Sequence, residues 1–474
     1  MRVSVNKRSV TAIVTMAVVL LTTACGSGEQ PDSKSSTPTQ TFAQAHDGFT
    51  TKLVKEEHDD YQIPAPPEGL FDLVSYPSKV GDLAAYVSSD PGDGEKHPMM
   101  IWVVGGWGNG IDDFPWCYPQ WDNDQTGSAF WQNGILTMYP SFRGGCGNPG
   151  YYETLFGEVD DIVSACEYAA SLPYVDPDRI YLGGHSTGGT RALLAAEYTD
   201  RFRAVFCFGA VDEVKYHNNS QFTFDQKNEE EFRMRSPVHW LDNIKNPVFL
   251  IEGSDGNSEN LKTMLKASEN ERIKGYIVDG ADHFSVLAPA TNLVARKILA
   301  DTGAEPSITI TQEELEEAMA GEPEIPLPAM TSHRMEEMGL TFSCPYIWEV
   351  TDESSEEGQA FVAASRYDED NIWDMAALYI TADPVESTDF SLEDFGDYLT
   401  ELGSQVEETT VSGLPALDAA GVHQSSDGGV FQNRYIVIEK EGTYIGFDFY
   451  IHESYGDDAE ELFQAIVDSI RFDQ

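Results

Sequence analysis

Between residues 71 and 278, short apolar runs rich in β-branched and aromatic residues recur along the chain. They are Phe71–Tyr76, Leu83–Ser88, Met99–Val104, Ile135–Tyr139, Ile180–Leu182, Ala204–Phe208, Val248–Glu252 and Gly275–Val278. Stretches of helical periodicity separate the later runs: Leu155–Ser171, Gly188–Tyr198, Glu259–Ser268 and Phe284–Leu299. In the first of these, Val159, Ile162, Val163, Cys166 and Ala170 recur near i, i+3, i+4 and i+7, one face of a helix. Two leading strands followed by strand–helix alternation predict an α/β architecture, a mostly parallel sheet with helices on both faces.

The pattern changes after residue 302. Residues 303–335 hold Pro306, Pro323, Pro326 and Pro328 and a Glu-rich stretch around Glu313–Glu317, which predicts a linker with a short helix. Beyond it, Leu340–Trp348, Ala360–Ser365, Ala376–Thr381, Tyr435–Glu439 and Thr443–Ile451 read as strands, and Leu392–Leu402 and Asp458–Ile470 as helices. This predicts a separate α+β domain over 336–474.

The first residues have a different character. Arg2, Lys7 and Arg8 precede an apolar run from Val10 to Leu21, too short to span a bilayer comfortably and typical of a signal segment. Leu21-Thr22-Thr23-Ala24-Cys25 resembles the lipobox of bacterial lipoproteins, with Thr22 where Leu is usual. That resemblance implies a signal peptide over 1–25, lipid on Cys25 and an extracytoplasmic, membrane-anchored protein; plain secretory cleavage is the alternative. Residues 26–60 are read as a flexible tether and 61–302 as the α/β domain.

The chain of 474 residues carries a formal net charge of −51. From Asp301 onward there are 40 acidic residues against 5 basic ones. Such a surface excludes nucleic acid as a partner and disfavours electrostatic docking on anionic lipid. Of six cysteines, Cys117 and Cys146 lie in Gly/Pro-rich loops suited to a disulfide in an oxidising compartment, and Cys207 lies in an apolar strand. No CxxC pair or HExxH appears, so no zinc site is expected. Asp122, Asp124, Thr126 and Gly127 have the spacing of a calcium loop. The twelfth position is Asn133, however, so no metal or cofactor is assigned.

Candidate chemistry sits at the ends of the predicted strands. Gly184-His185-Ser186-Thr187-Gly188 is a G-x-S-x-G sequence between an apolar strand and an Ala/Leu-rich helix, the strand–turn–helix that exposes a serine hydroxyl. A serine at its free pKa needs a base, and the base an orienting acid. His283, just after the strand ending at Val278, is the candidate base. Asp255, in the Gly-bounded loop after Val248–Glu252, is the candidate acid, with Asp212 and Glu252 as rivals. The backbone N–H groups of Gly106 or Trp107, in the Gly105–Gly110 loop, and of Thr187 are the candidate oxyanion donors. The aromatic residues Trp107, Phe114, Trp116, Tyr118, Trp121, Phe130 and Trp131 either line a pocket or fill the core.

Four segments carry a family resemblance: Phe142-Arg143-Gly144-Gly145, Tyr174-Val175-Asp176-Pro177-Asp178-Arg179-Ile180, Gly184–Gly189 and Gly280-Ala281-Asp282-His283. Residues 99 to 300 resemble the catalytic domain of the prolyl oligopeptidase (S9) group of α/β-hydrolases. The resemblance implies an α/β-hydrolase fold, hydrolysis of a small ester or peptide through an acyl-enzyme, and Ser186, Asp255 and His283 as triad. Val104 stands where that group commonly has His, Thr187 where its peptidases have Tyr, and Asp255 follows Gly253 by two residues rather than three. A non-catalytic envelope binding protein on a degenerate hydrolase scaffold is the alternative. In the last third, Phe342, Pro345 and Trp348, Gly413-Leu414-Pro415-Ala416 and the Phe463–Ile470 segment resemble PsbP-like domains, including those of LpqN-type lipoproteins. That resemblance implies a binding or scaffolding module with an envelope protein as candidate partner.

Overall fold

The computed structural model describes residues 40–473 except 68, 117–122, 218, 322–329, 337, 346–347, 353, 355–358, 366–375, 385–390, 425–429 and 453–457. The signal segment, Cys25 and residues 26–39 of the proposed tether lie outside the described residues, as do Cys117, Tyr118, Trp121 and Asp122. No helix among the described residues is long and apolar enough to cross a membrane.

Eight strands form the central sheet: β1 (Phe71–Ser78), β2 (Gly81–Ser88), β3 (His97–Val103), β4 (Leu136–Pro140), β5 (Val175–His185), β6 (Val205–Phe208), β7 (Val248–Gly253) and β8 (Ile273–Val278). Their order is β1-β2-β4-β3-β5-β6-β7-β8. β1, β2 and β4 pair antiparallel, and every other neighbour is parallel. The helices are α1 (Phe42–Gly48), α2 (Ser128–Gln132), α3 (Gly157–Ser171), α4 (Thr187–Tyr198), α5 (Glu229–Arg233), α6 (Ser258–Ala267), α7 (Leu287–Ala300) and α8 (Gln312–Ala320). Two apolar clusters, one containing Val159, Leu193 and Leu250 and the other Trp102, Phe206 and Val294, bury the sheet. Such burial on both faces is why the inner strands read as continuous apolar runs.

Two domain boundaries differ from the sequence reading. The tether does not extend to residue 60, since the chain from Thr41 onward is folded onto the α/β domain. α1 starts at a capping box between Thr41 and Gln44, and Phe42 is fully buried against Trp240. After it, Lys52 N donates to Glu231 Oε1 and Leu53 bridges Phe224. At the other end, residues 303–320 are not a free linker. Ile308, Ile310 and Leu315 are buried in the second cluster, and Gln312 Nε2 donates to Ile277 O on edge strand β8. An exposed strand edge is a liability, and this segment covers it.

The C-terminal region contains β9 (Met330–Met335), β10 (Leu340–Pro345), β11 (Trp348–Asp352), β12 (Gln359–Ser365), β13 (Ala376–Pro384), α9 (Leu392–Glu401), β14 (Gln405–Val411), β15 (Leu414–Gln424), β16 (Val430–Lys440), β17 (Thr443–His452), α10 (Asp458–Ser469) and β18 (Arg471–Phe472). The strands form a seven-stranded antiparallel sheet, β11-β12-β13-β17-β16-β15-β14, and a small β18-β10-β9 sheet. The predicted α+β class holds. β9 begins at Met330, inside the span read as linker. Phe342 and Trp348 are buried in this region's core against Phe447 and Phe449.

Candidate active site

β5 ends at His185, α4 begins at Thr187, and Ser186 makes the bend with φ 57° and ψ −120°. A non-glycine residue held there stores on the order of 1–3 kcal/mol of strain. The strain is tolerated because the surroundings over-determine the bend. Ser186 N donates to Phe208 O at 2.8 Å, and Ser186 O accepts from Thr190 N at 3.0 Å. Glycine at 188 is a packing requirement, since a Cβ there would lie 2.0 Å from Val103 O. The helix thereby starts against the end of β3, next to the Gly105 loop.

His283 follows β8, and its Nδ1 lies 3.0 Å from Glu252 Oε2. Glu252 is the penultimate residue of β7 and is 1% exposed. Its other oxygen accepts from Gly253 N at 2.8 Å. Gly209, with φ 63°, lets the pair close: a Cβ there would meet His283 Cε1 at 2.3 Å and Glu252 Oε2 at 2.9 Å. The carboxylate that meets the histidine is therefore Glu252, and the expectation of Asp255 is corrected. The chain turns away right after Gly253, leaving Asp255 exposed at the loop tip, 3.4 Å from Ser254 Oγ. Its backbone N–H instead braces the histidine loop through Ala281 O at 3.0 Å. The carboxylate of Asp212, the other rival, accepts from Glu213 N.

The bend and the histidine loop touch through His185. Its Nε2 lies 3.0 Å from His283 O, and the two rings are 4.4 Å apart. The acceptor is a carbonyl, so Nε2 carries the proton. Burial, helped by the neighbouring His283, pushes the imidazole down to about 3, and Nδ1 is left buried with no hydrogen-bond partner among the described residues.

The Gly105–Gly110 loop lies beside the serine, for a Cβ on Gly105 would be 3.3 Å from Ser186 Cβ. Thr187 Oγ1 donates to Gly106 O, tying α4 to this loop. Trp107 packs edge-on against Phe222, with ring centroids 5.7 Å apart. As a first-turn residue, Thr187 has an N–H without an intrahelical acceptor.

A second tie was not legible in the sequence. Arg191, one turn into α4 and fully buried, donates to Asn109 Oδ1 at 2.9 Å and to Gly108 O at 3.4 Å. Asn109 Nδ2 in turn donates to Glu158 Oε1 at 2.9 Å and to Arg143 O at 2.9 Å. Nothing in an Ala/Leu-rich helix marks one Arg as pointing inward.

The remaining candidates resolve as structure. Asp124 accepts from Ser128 N, Ser128 Oγ, Ala129 N and Thr291 Oγ1, so its oxygens are spent on capping α2 and anchoring it to α7. Cys146 is a free thiol that donates to Ile111 O, and its positive φ of 53° belongs to the same tight loop. Trp116 and Phe130 are buried core residues, whereas Phe114 is 48% exposed.

Fold and site define the class: an α/β-hydrolase with a serine at the elbow between strand and helix. Residues 121–292 match the model of the prolyl oligopeptidase family. Among curated proteins, the chain is similar to an uncharacterized peptidase, YtmA, of Bacillus subtilis (strain 168), 26% identical over 136 residues, covering 26% of this chain and 53% of that protein. The chain thus spans about half the length of this curated relative. Solved structures with a similar fold include a Mycobacterium tuberculosis puromycin-hydrolyzing peptidase (20% identity, 50% of this chain and 42% of that one, TM-score 0.41). Another is the acylaminoacyl peptidase of Pyrococcus horikoshii (16% identity, 52% and 44%, TM-score 0.40).

Proposed function

We propose that this protein is a serine hydrolase that cleaves ester or peptide acyl bonds with a Ser186–His283–Glu252 triad. The observation that carries the reading is the 3.0 Å pair between His283 Nδ1 and the buried Glu252 carboxylate, on a loop tied to the serine bend. A carboxylate on Nδ1–H leaves Nε2 with the lone pair that a nucleophilic serine needs. Ser186 Oγ attacks the substrate carbonyl and His283 takes its proton. The backbone N–H groups of Thr187 and of Trp107 or Gly106 receive the developing oxyanion. His283 then returns the proton to the leaving group, and water enters by the same route in reverse to release the acid and restore Ser186. The prolyl oligopeptidase match over 121–292 supports the same reaction class.

A fluorophosphonate probe should label the purified protein, and Ser186→Ala should abolish labelling and lower kcat by about 10⁴-fold or more. Equal labelling of the variant, or no turnover of short p-nitrophenyl esters and aminoacyl nitroanilides, would favour a non-catalytic binding scaffold.

The localisation belongs to this proposal too. The basic start, the Val10–Leu21 run and the box ending at Cys25 support an extracytoplasmic, lipid-anchored protein. The acidic C-terminal region, with its PsbP-like sequence features, then serves as a binding module for an envelope partner. Metabolic labelling with a fatty acid should be lost in Cys25→Ser.

A further inference from the structure

The Gly105–Gly110 loop, which carries one of the two proposed oxyanion donors, is tied to α4 through Thr187 and Arg191. It also rests on residues 141–147. Phe142 N donates to Asn109 O at 2.8 Å, and Ser141 Oγ donates to the same oxygen at 2.9 Å. Ile111 N donates to Cys146 Sγ at 3.2 Å. The two segments touch without side chains between them. A Cβ on Gly145 would lie 2.3 Å from Asn109 C, and one on Gly110 would lie 2.8 Å from Cys146 Sγ.

One carboxylate holds that second segment. Asp59 Oδ1 accepts from Cys146 N at 2.8 Å. Asp59 Oδ2 accepts from the hydroxyl of Tyr152, which also faces the Asn109 backbone N–H. The Asp59 backbone adds two bonds: its N donates to Gly144 O at 2.8 Å, and its O accepts from Gly147 N at 2.7 Å. A Cβ on Gly110 would lie 3.7 Å from Asp59 Oδ2, so the carboxylate comes within one side-chain layer of the loop itself. Hydrogen bonds to an ionised group are roughly twice as strong as neutral ones.

The carboxylate is fixed in its turn. Upstream, Thr51 Oγ1 and Lys52 N donate to Glu231 at 2.8 and 2.7 Å. Downstream, Pro64 O accepts from the Tyr86 hydroxyl at 2.8 Å. Residues 51–64 thus form a strap tied at both ends, and the strap precedes the residues 121–292 that match the family.

Resting on the serine-hydrolase reading, we infer that Asp59 is a positioning residue for the reaction: through Cys146 and Tyr152 it sets the place of the Gly105–Gly110 loop, and with it the backbone N–H group that receives the oxyanion. A donor held in advance stabilises the developing charge without reorganising, and its displacement is felt most in the transition state.

The test separates the oxyanion donor from general stability. Asp59→Asn should lower kcat for a p-nitrophenyl ester by about tenfold and change KM less than about threefold. For the matching thionoester, whose sulfur accepts hydrogen bonds poorly, kcat should fall less than about threefold. Tyr152→Phe removes one arm of the tie and should show the same pattern at smaller size; it carries the test if Asp59→Asn does not fold. An unchanged kcat, or equal losses on the two esters, overturns the inference. Hydrogen exchange reads the loop without substrate. The Ile111 and Phe142 amides should exchange about tenfold faster in the variant, while the amides of β6 and β7 keep their wild-type rates. Unchanged exchange at Ile111 and Phe142, or a uniform rise across the domain, overturns the inference too. Absence of fluorophosphonate labelling and of all turnover would instead defeat the hydrolase reading, and the exchange measurement then still decides whether Asp59 holds the loop.

Discussion

His283 and Glu252 are paired at 3.0 Å, although 31 residues separate them along the chain. The acid lies inside β7, not in the loop beyond it. Glu252→Gln should therefore lower kcat by about 10³–10⁴-fold, because the ring loses the partner that sets its tautomer. Asp255→Asn should change kcat less than about threefold, since among the described residues its carboxylate reaches only Ser254 Oγ. Steady-state kinetics on both variants decide between the two acids, and the opposite ranking would restore Asp255.

Gly209 offers a purely steric test of the same pair. A methyl group there would overlap His283 and Glu252, and φ 63° already disfavours a side chain. Gly209→Ala is expected to lower kcat by about 10²-fold through a displaced ring. It should also cost about 1 kcal/mol or more of stability. A crystal structure of the variant should show the His283–Glu252 contact lengthened, and an unmoved ring with normal kcat would refute the packing argument.

Arg191 connects stability and loop position. It donates to Gly108 O and Asn109 Oδ1 and, with Arg143, holds the fully buried Glu158 carboxyl below its usual range against the cost of burial. Arg191→Met should destabilise the fold by about 3–5 kcal/mol, because one member of a buried charge set is lost. Glu158→Gln in the same chain should recover part of that loss, as denaturant titration of the double-mutant cycle would show. Activity should not recover with it, since the tie to the Gly105–Gly110 loop is still missing. Full recovery of kcat in the double variant would contradict a positioning role.

The buried His185 predicts a pH effect on stability. Its folded imidazole is pushed from the ordinary 6.5 down to about 3, so below about pH 6.5 the unfolded chain binds a proton that the fold refuses. The stabilisation from keeping this ring neutral is complete above about 6.5 and is lost as pH falls toward 3. It contributes at most about 1.4 kcal/mol per pH unit. Chemical denaturation across that window should show a shallower pH slope for His185→Gln than for the wild type. Parallel slopes would mean that other groups carry the acid sensitivity.

Much of the hydrolase fold can be read in the chain because two patterns agree. Apolar runs mark strands buried on both faces, and G-x-S-x-G between a strand and a helix marks a bend whose glycines are enforced by backbone closeness, as at Gly188 and Val103 O. The positions of Ser186 at the bend and of His283 after the last strand were legible for that reason, each being anchored to a strand end. The acid was not, because a carboxylate at the end of a buried strand and one in the next turn differ only in where the chain bends. Spacing from Gly253 carries no information about that bend. The outer boundaries failed on another ground. Ser/Thr/Gln composition hid the Phe42 anchor, and Glu-rich composition hid the apolar side of α8, where Leu315 is buried.

The sequence alone determined that a serine stands at a strand–helix bend, that a histidine follows the last strand of the sheet, and that the acidic surplus is concentrated after residue 300. These are local matters, set by neighbours along the chain. Only the tertiary structure decided that Glu252 faces His283, and that His185 and Arg191 tie the serine bend and its helix to the histidine and Gly105 loops. Those relations join residues 31 to 98 positions apart. They are set by strand order and packing, in which a side chain's role depends on what the fold brings opposite it.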